Sequence, residues 1–310
     1  MNETSEYRQF TKPAELHKAI NTLRGMVAGL SADAVIAADE IQELVHWCTL
    51  HEHLRDRHPF SEILPAIERV CADGRITEDE SKDILWLCGN FIVSASYYDD
   101  ITSYIQFLHG MIHGIMADGK LGDEEIHSLH TWIDSHEFLA GTYPFDEINS
   151  LLTSVLEDRI IDAGEREMLM AFFSSLLDFR DSHQLSEKTF ADLRAKYSVS
   201  GICAVCPNIQ IEDHTFCFTG ASYRTTREEI TKTIQSMGGI VRSSVSQRTD
   251  YLIVGNAGNP CWVYACYGRK IEEAVSLRKA GAPILIVNET DFWDAVDDAA
   301  AGIHARPGEE

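Results

Sequence analysis

No stretch of 18 apolar residues occurs in this chain, so nothing in it reads as a membrane-spanning helix. The opening MNETSEYRQF is polar and lacks the apolar core of a secretory signal, which predicts a cytoplasmic protein with no membrane partner. Also missing are K-x-D-G, G-x-x-x-x-G-K-[ST], G-x-S-x-G and H-E-x-x-H, the patterns of nucleotidyl transfer, phosphate-loop, serine-hydrolase and zinc-protease chemistry. Without them the expectation is a protein that is not an enzyme and needs no cofactor. Basic residues are scarce, 26 Lys and Arg against 49 Asp and Glu, for a net charge of −23. The deficit is uneven: residues 1–200 hold 16 basic against 35 acidic residues, net −19, whereas 209–296 hold 9 against 10, net −1. An acidic front half repels nucleic acid, so phosphate recognition has to be local and C-terminal.

Strand alternation is almost absent before Ile202, while apolar residues recur at helical spacing from Leu23 onward. The first ten residues look loose, and Pro13 is expected to precede the first helix. This half is also duplicated. A shift of 85 residues lays LRGMVAG (23–29) on LHGMIHG (108–114), then Trp47 on Trp132, His51-Glu52 on His136-Glu137, Pro59-Phe60 on Pro144-Phe145 and Val70 on Val155, without a gap. Two copies of one helical unit follow, packed about a pseudo-twofold or as an array.

Each copy carries a shorter pattern: ADGRITEDE (72–80), ADGKLGDEE (117–125), EDRIIDAGE (157–165) and a worn SADAVIAADE (31–40). A helix ends near Asp-Gly, an apolar residue (Ile76, Leu121 or Ile161) plugs the turn, and acidic residues open the next helix where its dipole favours them. A calcium-loop reading lacks ligands: with Gly119 or Gly74 as the invariant glycine, the first and third positions are Gly114 and Met116, or Arg69 and Cys71. A capped structural turn or a weak divalent-ion site remain. These turns resemble the TerB-like helical domains of tellurite resistance over roughly residues 20–180. His109 and His113, with His127 and His130, stand at helical spacings that suit zinc, but the first copy has Arg24, Ala28, Gln42 and Val45 there; a partly buried histidine face is the competing reading.

Residues 178–200 read as a polar helical connector, followed by Cys203 and Cys206 as C-x-x-C. With Cys261 and Cys266 these are candidate ligands for a structural zinc; a redox pair and simple reduced thiols are the alternatives.

From His214 the pattern changes. A strand (214–219) turns at Gly220 into a helix opened by Thr226 with Glu229 three residues on; Gly238-Gly239 ends it, and the β-branched runs 240–245 and 251–254 follow. A phosphate dianion wants hydroxyl and backbone N–H donors at a strand-to-helix turn, the positive end of a helix and fixed cations. Thr219, Gly220, Arg227 and Lys270 supply them. Arg227 in a first helical turn opposes the macrodipole, which a bound anion would reverse; pairing to Glu228 or Glu229 is the plainer explanation.

Thr219-Gly220, Gly238-Gly239, Thr249-Asp250 before YLIVG, Lys270 and Trp293 together resemble a BRCT domain over about 209–296, of the kind in NAD-dependent DNA ligases and the large subunit of replication factor C. In phosphate-binding members the matching positions carry the Thr, Gly, Arg and Lys found here. One departure is the apolar insertion 255–269, with Trp262 and Tyr264, which could shift Lys270 from the pocket.

The expected architecture is multidomain: helical unit 1 (15–92), helical unit 2 (100–180), a connector (181–208) and an α/β domain with a small parallel four-stranded sheet (209–300). The resemblance implies a noncatalytic adaptor in DNA metabolism or repair that binds a phosphorylated DNA end while the acidic helical half docks a protein partner. The alternative is a phosphopeptide or protein-interaction adaptor in a stress response; metal-linked stress sensing has only the TerB-like likeness behind it.

Overall fold

The computed structural model describes residues 3–32, 36, 38–92, 98–197, 203–204, 207–255 and 269–300. They form two compact units, each discontinuous in sequence: Met1–His136 with Ile161–Lys196, and Glu137–Ile160 with Tyr197–Glu310.

The first unit is helical. It contains α1 (Glu3–Leu30), α2 (Ala38–Leu50), α3 (Phe60–Val70), α4 (Glu78–Ile92), α5 (Asp100–Ile115) and α6 (Asp123–Asp134), then α8 (Ala163–Ser174) and α9 (Glu187–Lys196). Helix α1 starts earlier than the sequence predicts and runs through Pro13. Proline's fixed φ near −65° is itself helical, but its ring removes one hydrogen bond and crowds the carbonyl four residues back, a cost of about 3 kcal/mol.

The duplicated LRGMVAG and LHGMIHG segments are where α1 and α5 cross. A Cβ on Gly25 would collide with the Phe107 carbonyl and lie 2.7 Å from Met111 N; one on Gly110 would collide with the Thr22 carbonyl and lie 3.0 Å from Met26 N. Residues 22, 25 and 26 are the first-copy counterparts of 107, 110 and 111, so each contact is returned by its equivalent. This reciprocity is the mark of a pseudo-twofold. Glycine is needed there because the two backbones touch.

Side-chain detail repeats as well. Trp47 and His51 stack at 4.1 Å and Trp132 and His136 at 4.0 Å, and in each pair the histidine Nδ1 meets the tryptophan carbonyl, at 2.8 and 2.7 Å. The Asp-Gly turns share one construction. Asp73, Asp118 and Asp158 accept the N–H two residues on, at 3.0, 2.8 and 2.9 Å. Glu80, Glu125 and Glu165 accept the N–H three residues back, at 2.8, 2.5 and 2.9 Å. Ile76 and Leu121 are buried plugs and Ile161 is half-buried. The acidic residues therefore close helix ends, the capping role their spacing suggests.

The second unit holds α7 (Phe145–Val155) and a four-stranded parallel sheet in the order β2-β1-β3-β4, made of β1 (Thr215–Thr219), β2 (Ile240–Arg242), β3 (Tyr251–Val254) and β4 (Leu285–Asn288). Helices α10 (Arg227–Ser236), α11 (Arg269–Lys279) and α12 (Glu289–Ala300) complete it. Strand residues alternate between two cores. Phe216, Phe218, Tyr251, Ile253 and Val287 pack with Ile230 and Ile234 of α10 and Phe292 and Trp293 of α12. Cys217, Leu252, Val254 and Ile286 pack with Ile271, Ala274 and Val275 of α11. A sheet buried on both faces needs such near-continuous apolar strands.

Candidate phosphate-binding site

The chain leaves β1 for the β2 side and returns to β3 on the other flank, so the carboxyl ends of β1 and β3 bracket a topological switch point. In open parallel sheets that crevice is where ligands bind. Two glycines make it. Gly220 follows β1 with φ +82°, and a Cβ there would press on the Gly255 backbone at 3.1 Å. Gly255 follows β3, and a Cβ there would lie 2.5 Å from the Ala221 carbonyl and 2.7 Å from the Phe218 ring. The strand ends are thus drawn together, and the backbone at Gly220 is exposed.

Both predicted cations reach this turn. Arg227, the first residue of α10, donates from its guanidinium to the Gly220 carbonyl at 2.8 Å and lies 5.5 Å over the Phe218 ring. Lys270, in the first turn of α11, donates from Nζ to the Phe218 carbonyl at 2.8 Å. They therefore flank Thr219, which is half-buried at the end of β1. Although residues 256–268 lie outside the described residues, Lys270 stands with the other three.

Neither cation has a carboxylate partner among the described residues; their recorded bonds go to backbone carbonyls. The neighbouring Glu229 is occupied otherwise. Its N–H is capped by the Thr226 hydroxyl at 3.3 Å and its carboxylate accepts from Thr225 Oγ1. The turn thus presents two positive charges that a carbonyl orients without neutralising, which is what an anion site requires.

Sequence reasoning missed what holds the loop. Glu289, wholly buried at the start of α12, accepts from Ser222 Oγ, from Tyr223 N–H at 3.2 Å and from Trp293 Nε1 at 3.1 Å. Arg224 pairs with Asp297 at 2.9 and 3.1 Å and covers the Trp293 ring at 4.5 Å. The only hint was spacing: Glu289 precedes Trp293 by one helical turn. Asp250 is structural, accepting the Thr215 N–H at 2.7 Å.

Residues 209–280 match the BRCA1 C Terminus (BRCT) domain family. The C-terminal fold is a BRCT domain. Among curated proteins the chain is 30% identical to a DNA ligase of Syntrophus aciditrophicus over 142 residues, 44% of this chain and 19% of that one. It is 37% identical to a DNA ligase of Fervidobacterium nodosum over 83 residues, 27% and 10% of the two chains. With a DNA ligase of Thermoanaerobacter sp. the identity is 52% over 44 residues, 14% and 7%. The chain thus spans a fifth or less of these relatives. No solved structure matches it.

The remaining sequence candidates disperse. Burial pushes the Cys203 thiol, beside the BRCT domain's sheet, up to about 12; Cys206, Cys261 and Cys266, with Trp262 and Tyr264, lie outside the described residues. The histidines take separate partners: His113 Nε2 meets Glu43 at 3.1 Å, His127 Nδ1 the Asp123 carbonyl at 2.6 Å, and His130 meets Asp134 at 3.3 Å. Burial holds His109 below the ordinary histidine value. Among the described residues no group of three His, Cys, Asp or Glu is placed to hold a metal. No described helix is long and apolar enough to cross a membrane.

Proposed function

We propose that the BRCT domain binds a terminal phosphate, that of a DNA 5′ end, through Thr219, Gly220, Arg227 and Lys270, and that the chain is a noncatalytic adaptor in DNA metabolism or repair whose acidic helical half docks a protein. The observation that carries this is the pair of cations fixed on the Phe218 and Gly220 carbonyls with no described carboxylate to neutralise them. The ligase relatives support DNA over other phosphate bearers. The charge of −23 supports end recognition over coating, since only a local contact survives long-range repulsion.

The test is fluorescence anisotropy of the full chain with a labelled duplex bearing or lacking a 5′-phosphate, at low salt. Phosphate-dependent binding should weaken about tenfold or more in each of Arg227→Ala and Lys270→Ala, the loss of one charge-assisted contact. Equal binding to both duplexes, unmoved by either substitution, overturns the DNA-end reading. Phosphopeptide binding lost in the same variants would turn the site over to the phosphoprotein alternative.

A further inference from the structure

The internal repeat lets one half of the helical unit report on the other. At the 85-residue offset α4 falls on α8, and their inner residues agree: Ile84 and Leu169, and Cys88 and Phe173, are all buried. The outer rows do not. On α8 that row is Glu167, Ala171 and Ser174; on α4 it is Lys82, Trp86 and Gly89.

The α8 row is covered. Ala171 is 2% exposed and Ser174 fully buried, α9 lies against α8, and Lys196 of α9 sits 2.6 Å from Glu167. Helix α9 buries Phe190 in this packing, stacked 5.9 Å from Phe179. The α4 row faces outward. Trp86 is 69% exposed, the Lys82 side chain is 62% exposed and pairs at 2.6 Å with Glu78 one turn back, and a Cβ at Gly89 would meet nothing within 4 Å. Among the described residues α4 packs mainly on α1 and α3, and α5, which holds the place of α9 at this offset, packs on α1 instead.

We propose that the outer face of α4, centred on Trp86, docks an amphipathic helix of a partner protein, seated as α9 is seated on α8. This names the surface behind the protein-docking part of the proposed function and rests on that part alone. The chemistry of the occupant follows from the row it covers. An aliphatic or aromatic residue in the place of Phe190 packs on Trp86. A carboxylate of the partner shares Lys82 with Glu78, because the Lys196–Glu167 pair has its sign reversed at that position. Basic residues meet the exposed Asp79 and Asp83, the latter replacing the buried Met168. A large apolar anchor inside a charged rim is the composition of an interface that forms and dissociates, whereas Ala171 and Met168 belong to a permanent one.

The experiment uses the full chain and two labelled, helix-stapled peptides: residues 183–197 of this sequence, and the same peptide with Lys196→Glu. The Lys196→Glu peptide should bind saturably and about tenfold more tightly than the parent. Trp86→Ala in the protein should weaken it by roughly tenfold or more, the size of an interface tryptophan's contribution. Lys82→Glu should reverse the preference between peptides, a readout that loss of folding cannot produce. Binding that ignores both substitutions overturns the α4 site and leaves docking elsewhere on the helical half standing. Failure of the Lys196→Glu peptide to bind saturably overturns the site outright, whatever the phosphorylated-duplex experiment returns.

Discussion

Glu43 is wholly buried in the helical unit, and its carboxylate accepts from His113 Nε2 at 3.1 Å, Ser182 Oγ at 2.9 Å, and the N–H groups of His183 and Gln184 at 3.0 Å. Burial alone would raise its pKa, but the bonds from His113 and the backbone outweigh it and hold the group below the ordinary value. A depressed folded pKa stabilises fully above the unfolded value, near 4.3, and that stabilisation is lost as pH falls through the folded one. Urea unfolding of the wild type should therefore weaken below about pH 4, with a smaller slope in Glu43→Gln. Glu43→Ala should cost about 3–5 kcal/mol at neutral pH by orphaning its buried donors; a midpoint unchanged from wild type would refute that role. No sequence pattern announced Glu43, because its donors lie up to 141 residues away. Thr219, Gly220, Arg227 and Lys270 were legible for the opposite reason. Three sit within one strand-turn-helix, where local spacing groups them, and the fourth lies in the first turn of α11, two strands further on.

At the scale of elements, the copies predict each other. The α1–α5 crossing is the repeat's most constrained feature, and LRGMVAG on LHGMIHG already showed which residues make it, though not that they touch one another. Gly25→Ala or Gly110→Ala should each cost roughly 3 kcal/mol, the upper end of overpacking, since the obstacle is backbone. The double substitution should cost less than the sum, because helices already spread by one methyl accommodate the second; strict additivity in denaturant titrations would count against a shared crossing. The Asp-Gly turns make the converse prediction. Gly74 and Gly119 take φ +75°, whereas the third copy puts Arg159 at φ +64°. A non-glycine residue there costs roughly 1–2 kcal/mol, so Arg159→Gly should raise stability by about 1 kcal/mol after the added chain entropy. A drop in the melting temperature would contradict this.

For the whole molecule, the sequence read as successive segments, yet the chain enters the C-terminal unit twice, first with residues 137–160. One buried link between the two segments lies at the far end of the helix that carries Lys270. Arg278, 3% exposed in the last turn of α11, donates to Glu147 at 2.5 and 3.0 Å, to Asp146 at 3.2 Å and to the Ile284 carbonyl. Burial pushes both carboxyls above their ordinary values against the pull of the guanidinium. The first-copy counterparts, Ser61 and Glu62, are exposed, so comparing the repeats could show that α7 differs but not what it meets 131 residues on. A fragment beginning at residue 201 keeps Arg278 and loses both acids. Removing one partner of a buried pair costs about 3–5 kcal/mol, a large part of a small domain's stability. In hydrogen exchange the amides of α11 should be strongly protected in the full chain and markedly less so in Glu147→Ala or in the 201–310 fragment. Equal protection in all three would show that the BRCT domain holds α11 by its own core, and that Lys270 is positioned without help from α7.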